Sequence, residues 1–364
     1  YLIDDRIDSV KYSNGTSTKY LYDAAGRNTG MNNRKANGAI INEYTYNLNN
    51  AGNHLSETMN EPALSNGLNT LTSATINYNA MPFNRIQNAG ATTFTHNNQG
   101  QITNRAADTF TFDVNDNLLT INGSATGTFS YDGAGNRRSK TLNGTTTRYV
   151  LSILGMSQVL LETDASNNPT NYYVYGPIGL ISRIKPNNTT HVYHYDYRGS
   201  TIAMTDASQN LSHTYSYDPF GNILAANEPA NDANPFRYVG QQGVQYETPT
   251  LTFMRARYAD LTTGRFICED PIWAVNLYPY ADNNPIMGVD PKGELAGALG
   301  AVQQDQSNFA FNHITYNSAV RSGPFLQSSV NAGKKTKSIF QSFLNWWFAP
   351  KTKTEKQLRN EYKL

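Results

Sequence analysis

The 364-residue sequence contains one cysteine, Cys268, so no internal disulfide framework can staple it. No run of 18 apolar residues occurs, which excludes a helical membrane span. Charged residues are scarce at 16%, and hydrophobic residues reach only 38%. Too little Leu, Ile and Val is present to build one massive core from a chain of this length. The near-balance of 29 Lys+Arg against 28 Asp+Glu gives no general attraction to nucleic acid. No phosphate loop or nucleotide fingerprint is found, and no cofactor is expected. The chain starts at Tyr1 inside a patterned segment, without a signal peptide, which is expected of a piece of something longer.

Uncharged polar residues fill the gap, with 44 Asn, 24 Tyr and abundant Thr, Ser and Gly. Tyr and Thr favour pleated surfaces, so a thin or repetitive all-β structure is expected. Charge is also unevenly placed. Residues 295–364 carry nine Lys+Arg against three Asp+Glu, whereas residues 1–294 carry 20 against 25, so a mildly acidic body joins a basic tail.

The body repeats. An aromatic residue followed by Asp or Asn, then Gly, recurs at Tyr22-Asp23 with Gly26, Tyr131-Asp132 with Gly135, Tyr195-Asp196 with Gly199, and Tyr217-Asp218 with Gly221. Degenerate copies begin at Tyr46, Tyr78, His96, Phe112 and Tyr175. Most anchors are 16 to 24 residues apart, room for two strands and two turns. The Asp side chain can bond its own downstream backbone and Gly accepts positive φ, so each copy predicts a tight turn closing a strand. Each repeat Tyr is expected at a strand end, packed on the Tyr of the next repeat. His191 and His194, three apart in a predicted strand, should face opposite ways and cannot share a metal ion, so no metal site is expected.

These repeats resemble the YD repeats of Rhs proteins. The resemblance extends to their associated core, through Asn-Pro-Phe-Arg-Tyr-Val-Gly-Gln (234–241), Arg-Ala-Arg-Tyr-Ala-Asp (255–260), Thr-Gly-Arg-Phe-Ile-Cys-Glu-Asp-Pro (263–271) and Asp-Pro-Lys-Gly (290–293). It implies an all-β fold in which a spiralling sheet forms a hollow shell over residues 1–233 and the core, 234–294, closes it. Teneurins and the C components of insecticidal toxin complexes share that architecture. A variable basic tail, 295–364, follows. The resemblance also implies single-turnover, aspartic-type self-cleavage after the core, with Asp270 and Asp290 as the carboxylates and Arg265 as their supporting cation. The matching bond is Glu294 to Leu295, with Leu295 to Ala296 as the alternative. Two departures stand out: Trp273 occupies a position where many relatives have Gly, and Glu294 one where Leu is expected. The competing expectation is that both Asp residues merely cap Asp-Pro turns.

Within the tail, Ile339, Phe340, Phe343, Leu344 and Trp347 fall at helical spacing, predicting an amphipathic helix over 336–348. Phe340, Phe343, Trp346 and Trp347 are the candidate docking residues. The expectation is therefore a secreted or surface-exposed bacterial shell that encapsulates and presents a C-terminal passenger, its own tail being the first partner. Two alternatives stand beside it. One is a cell-surface adhesion protein that binds glycans or proteins; the other is an accessory subunit whose helix docks on a secretion or injection assembly.

Overall fold

A computed structural model describes residues 2, 6–61 and 76–294, together with the backbone of 297–298. The described residues belong to one compact unit, Tyr1–Gln306. Leu295, the predicted helix 336–348 and its docking residues Phe340, Phe343, Trp346 and Trp347 lie outside the described residues.

Five strands, from β1 (Ser9–Lys11) to β5 (His54–Asn60), form one antiparallel sheet in chain order. Sixteen more, from β6 (Tyr78–Ala80) to β21 (Ile223–Asn227), form a second sheet in which every strand pairs with its neighbours in sequence. The core segment adds a four-stranded sheet: β22 (Gln245–Thr248), β23 (Leu251–Met254), β24 (Arg257–Asp260) and β25 (Arg265–Phe266). The all-β expectation and the large antiparallel sheets agree.

The repeat explains the hairpins. Asp23, Asp132, Asp196 and Asp218 each accept, through Oδ1, the amides of the residues two and four further on, at 2.8–3.0 Å. The glycine amide closes the turn on the Asp carbonyl at 3.0–3.1 Å. These glycines have φ between +80 and +96°, the left-handed region that a three-residue hairpin loop requires. The strand register shifts just before each repeat Tyr, at 21/22, 130/131, 194/195 and 216/217. That bulge swings the ring so that its hydroxyl donates to a backbone carbonyl upstream. Tyr131 reaches Leu118 at 2.9 Å, Tyr195 reaches Leu180 at 2.8 Å and Tyr217 reaches Thr201 at 2.7 Å. The rings also stack on the tyrosine two residues earlier, Tyr193 on Tyr195 and Tyr215 on Tyr217. The expected role for these tyrosines is thus revised: each locks its hairpin to the preceding strand, and Tyr195 and Tyr217 also stack within their own strands.

A wall of bare, single-sheet thickness is not what the described residues form. One face of the long sheet packs on the core segment: Phe94, Phe110, Leu118, Ile121 and Phe129 join Leu251, Phe253, Tyr258 and Ile267 in one apolar cluster. Further along, β18 (Thr190–Tyr195), β19 (Thr201–Thr205) and β20 (Leu211–Tyr217) are buried on both faces. Tyr193 bonds Asn234 of the core segment on one side. On the other, Ile202 and Ala203 pack with Tyr20, Met31, Ile41 and Tyr44 of the five-stranded sheet. Stacking of two further layers on this stretch supplies apolar burial that one sheet could not.

Candidate active site

The core segment returns on itself to make the site. Strands β23 and β24 form a hairpin whose turn holds Arg255 at φ +58°. Across that turn lies the loop from Asp290 to Gly293, which follows β26 (Gly288–Val289). The Ala256 amide donates to the Lys292 carbonyl at 3.0 Å and Arg255 Nη1 donates to the Pro291 carbonyl at 2.6 Å. Gly293, at φ +69°, passes so close to the hairpin that a Cβ would sit 2.4 Å from the Met254 carbonyl oxygen. Glycine is required there by both space and backbone conformation.

Arg257, at the start of β24, is buried with its guanidinium carbon 3.6 Å from the centre of the Phe266 ring. Its Nη2 donates to Asp270 Oδ2 at 2.5 Å and lies 3.4 Å from Asp290 Oδ2. Its Nη1 donates to the Leu277 carbonyl at 2.9 Å, and its Nε donates to the Gly293 carbonyl. One nitrogen therefore draws both aspartates together. The remaining oxygens cap turns: Asp270 Oδ1 accepts the Ile272 amide at 2.8 Å, while Asp290 Oδ1 accepts the amides of Gly293 at 2.8 Å and Glu294 at 3.2 Å. Turn capping and pairing, set against each other in the sequence, are thus divided between the two oxygens of each carboxylate.

Two carboxylates share one buried guanidinium, so ionising both leaves an uncompensated negative charge. Burial holds the Asp290 carboxyl above its ordinary range, opposed by Arg257 and by the turn amides, with Asp270 adding repulsion. Burial likewise raises Asp270, opposed by the Ile272 amide and Arg257. Burial lowers Arg257, against the pull of the carboxylates. A pair of this kind can hold a proton on one oxygen while the other carboxylate stays ionised.

Asp270 and Asp290, the pair the resemblance implies, lie beside one guanidinium; Arg265 is not its source. Its Nη2 donates instead to the Asn84 carbonyl at 2.6 Å, with its guanidinium over the Tyr278 ring. The β24–β25 register explains the error, since Arg265 faces Asp260 and the chain must run on past Cys268 before it reaches Arg257. The signal for Arg257 was present in the Arg-Ala-Arg stretch, but only the hairpin places it between two turns that are distant in sequence. Cys268 is buried and burial pushes its thiol up to about 12, so it is a packing residue. His191 packs edge-on to His213 and His194 edge-on to Tyr12, on opposite faces of β18. Among the described residues no group of three or more His, Cys, Asp or Glu is placed to hold a metal ion, and no helix is long and apolar enough to cross a membrane.

Comparison with known proteins agrees with this fold. The chain is 32% identical over 235 residues to the tRNA3(Ser)-specific nuclease WapA of Bacillus spizizenii, covering 61% of this chain and 10% of that protein. The tRNA nuclease WapA of Bacillus subtilis matches at 31% with the same coverage. Among solved structures, the crystal structure of TcdB2-TccC3 superposes with a TM-score of 0.55 at 15% identity, over 78% of this chain and 19% of that one. The Photorhabdus luminescens Tc holotoxin pore gives 0.56 at 15% identity, over 79% and 18%. The chain thus spans a tenth of the WapA relatives and under a fifth of the structural neighbours. The family model described as Teneurin YD-shell matches residues 1–286, and this chain belongs to that family.

Proposed function

We propose that this shell protein is exported, carries residues 295–364 as its passenger, and cuts the Glu294–Leu295 bond once with Asp270 and Asp290. The observation that supports this most directly is Arg257, which joins both carboxylates to the carbonyl of Gly293, one residue before that bond. One carboxylate, ionised, accepts a proton from water as the oxygen adds to the Glu294 carbonyl carbon. The other, protonated, donates its hydrogen to the carbonyl oxygen. Collapse of the tetrahedral intermediate breaks the C–N bond, and a proton passes to the new amine of Leu295. Burial keeps a proton on one carboxyl, while Arg257 stabilises the other as the anion and, through the Gly293 carbonyl, fixes the turn that presents the bond. Because bond and carboxylates share one chain, effective concentration is high and a single turnover suffices.

A passenger role for the tail gains support from the relatives named as nucleases, whose length far exceeds the matched stretch. Phe340, Phe343, Trp346 and Trp347 would seat the tail on the shell or on a protein partner of an export assembly. Intact-mass measurement of purified protein tests the reading. The expected result is a fragment beginning at Leu295 that disappears in Asp270→Asn and Asp290→Asn. A single uncut mass in the wild type sinks the cleavage step. Limited proteolysis of the uncut variants then tests enclosure, since an enclosed tail resists digestion and a tail degraded at once overturns it.

A further inference from the structure

Where the core segment meets the long sheet, a cavity of about 30 Å³ is lined by Arg137, Ser157, Val159, Gln245, Phe253 and Arg255, among others. A single water needs roughly 10–15 Å³ of such space, so the cavity is of a size for a monatomic ion or about two to three waters. Two guanidinium groups border it. Arg137 is 3% exposed. Its Nη2 lies 2.6 Å from Glu247 Oε1 and 2.7 Å from Gln245 Oε1, and its Nη1 donates to the Tyr258 hydroxyl at 2.9 Å. Its buried Nε has no partner.

Arg255 is the second border. Its Nε and Nη2 donate to the Ser157 carbonyl at 2.9 and 2.8 Å, and its Nη groups reach the carbonyls of Gln242 and Pro291, both at 2.6 Å. Carbonyl dipoles orient a cation without neutralising it. Lys140 draws on Glu247 as well, at 2.8 Å, so Arg137 and Lys140 share that carboxylate, whereas the Arg255 contacts above all go to carbonyls. Loss of hydration without a counter-charge lowers Arg255 to about 10. A buried arginine held by carbonyls alone at the edge of a small cavity, with one buried N–H of Arg137 left over, is what a small anion satisfies.

We propose that this cavity is a halide site, filled by chloride held between Arg137 Nε and the Arg255 guanidinium. The consequence is mechanical. Arg255 ties Ser157, between two strands of the long sheet, to Gln242 of the core segment and to Pro291 beside the candidate active site. Chloride in the cavity holds that three-way junction closed.

Thermal unfolding of the full chain tests this at fixed ionic strength, with sodium gluconate replaced stepwise by sodium chloride. Above its Kd, each tenfold rise in free chloride should raise the folding constant about tenfold, seen as a steady climb of the midpoint. Bromide should substitute, and crystals soaked in it should give an anomalous peak between Arg137 and Arg255. Val159→Leu, which fills the cavity and leaves both arginines, should remove the chloride dependence. If that variant does not fold, the bromide measurement on the wild type decides. Equal midpoints in chloride and gluconate, with no bromide peak, overturn the proposal and leave a cavity that holds water only.

Discussion

The same hairpin unit lives in two environments along the long sheet. In β10 (Asp108–Phe112) and β12 (Gly127–Tyr131) burial alternates, with Phe110 and Phe129 packed on the core segment and Thr or Ser facing away. The exposed hydroxyls pair across strands, Thr111 with Thr120 and Ser130 with Ser139, both at 2.7 Å. In β18 to β20 there is no such alternation, because the five-stranded sheet covers the second face. Turn chemistry is identical in both stretches. Repeats therefore specify hairpins, while the layers laid against them decide how much each hairpin is worth.

The largest expected effect lies in the segment that covers both stretches. Arg257→Met leaves Asp270 and Asp290 buried without their cation and should cost about 3–5 kcal/mol, measured by chemical denaturation. It should also abolish any cleavage. A loss under 1 kcal/mol would show that water already reaches the pair. Next come the turn glycines. At Gly221 a Cβ would meet the Tyr238 ring at 2.5 Å, whereas at Gly38 nothing lies within 4 Å. Gly221→Ala should cost about 2–3 kcal/mol, overpacking added to strain, against about 1 kcal/mol for Gly38→Ala. Equal losses would erase the distinction between covered and uncovered turns.

Acidification separates the environments by a third route. Burial lowers His194 to about 3, so the folded state keeps it neutral while the unfolded chain protonates it near its ordinary value. The unfolded state then binds more protons, and stability falls as pH drops from the ordinary histidine range toward the folded value. Between pH 7 and pH 5 the loss should be roughly 2 kcal/mol, and His194→Gln should flatten it. An unchanged slope in that variant refutes the assignment. Smallest are the hydroxyls of the repeat: Tyr217→Phe, fully buried, should lose about 1 kcal/mol, and Tyr22→Phe, partly exposed, less. The reverse order would mean that burial does not set the value of this bond.

Much was legible in the residues. Asp-x-x-Gly spacing names its own turn because Asp Oδ1 and a positive-φ Gly act within five residues, and abundant Tyr and Thr name pleated structure. Local chemistry of this kind needs no partner from afar. The candidate site was half legible: the family resemblance singled out Asp270 and Asp290, and their Asp-Pro elements marked turns, but the cation between them did not stand out. Arg265 was nearer in sequence, and only strand pairing shows that it turns to Asn84 while Arg257 turns to the aspartates. The docking residues of the tail lie beyond the described residues and are testable only by the experiments above.

What the amino-acid order settled by itself was the hairpin, its turn and the all-β class, since each depends on contacts a few residues long. Which tyrosine hydroxyl meets which carbonyl, which faces are covered twice, and which arginine serves the paired carboxylates were settled only by tertiary structure. Those contacts join residues tens to hundreds of positions apart, and their energy exists only once layers have excluded water.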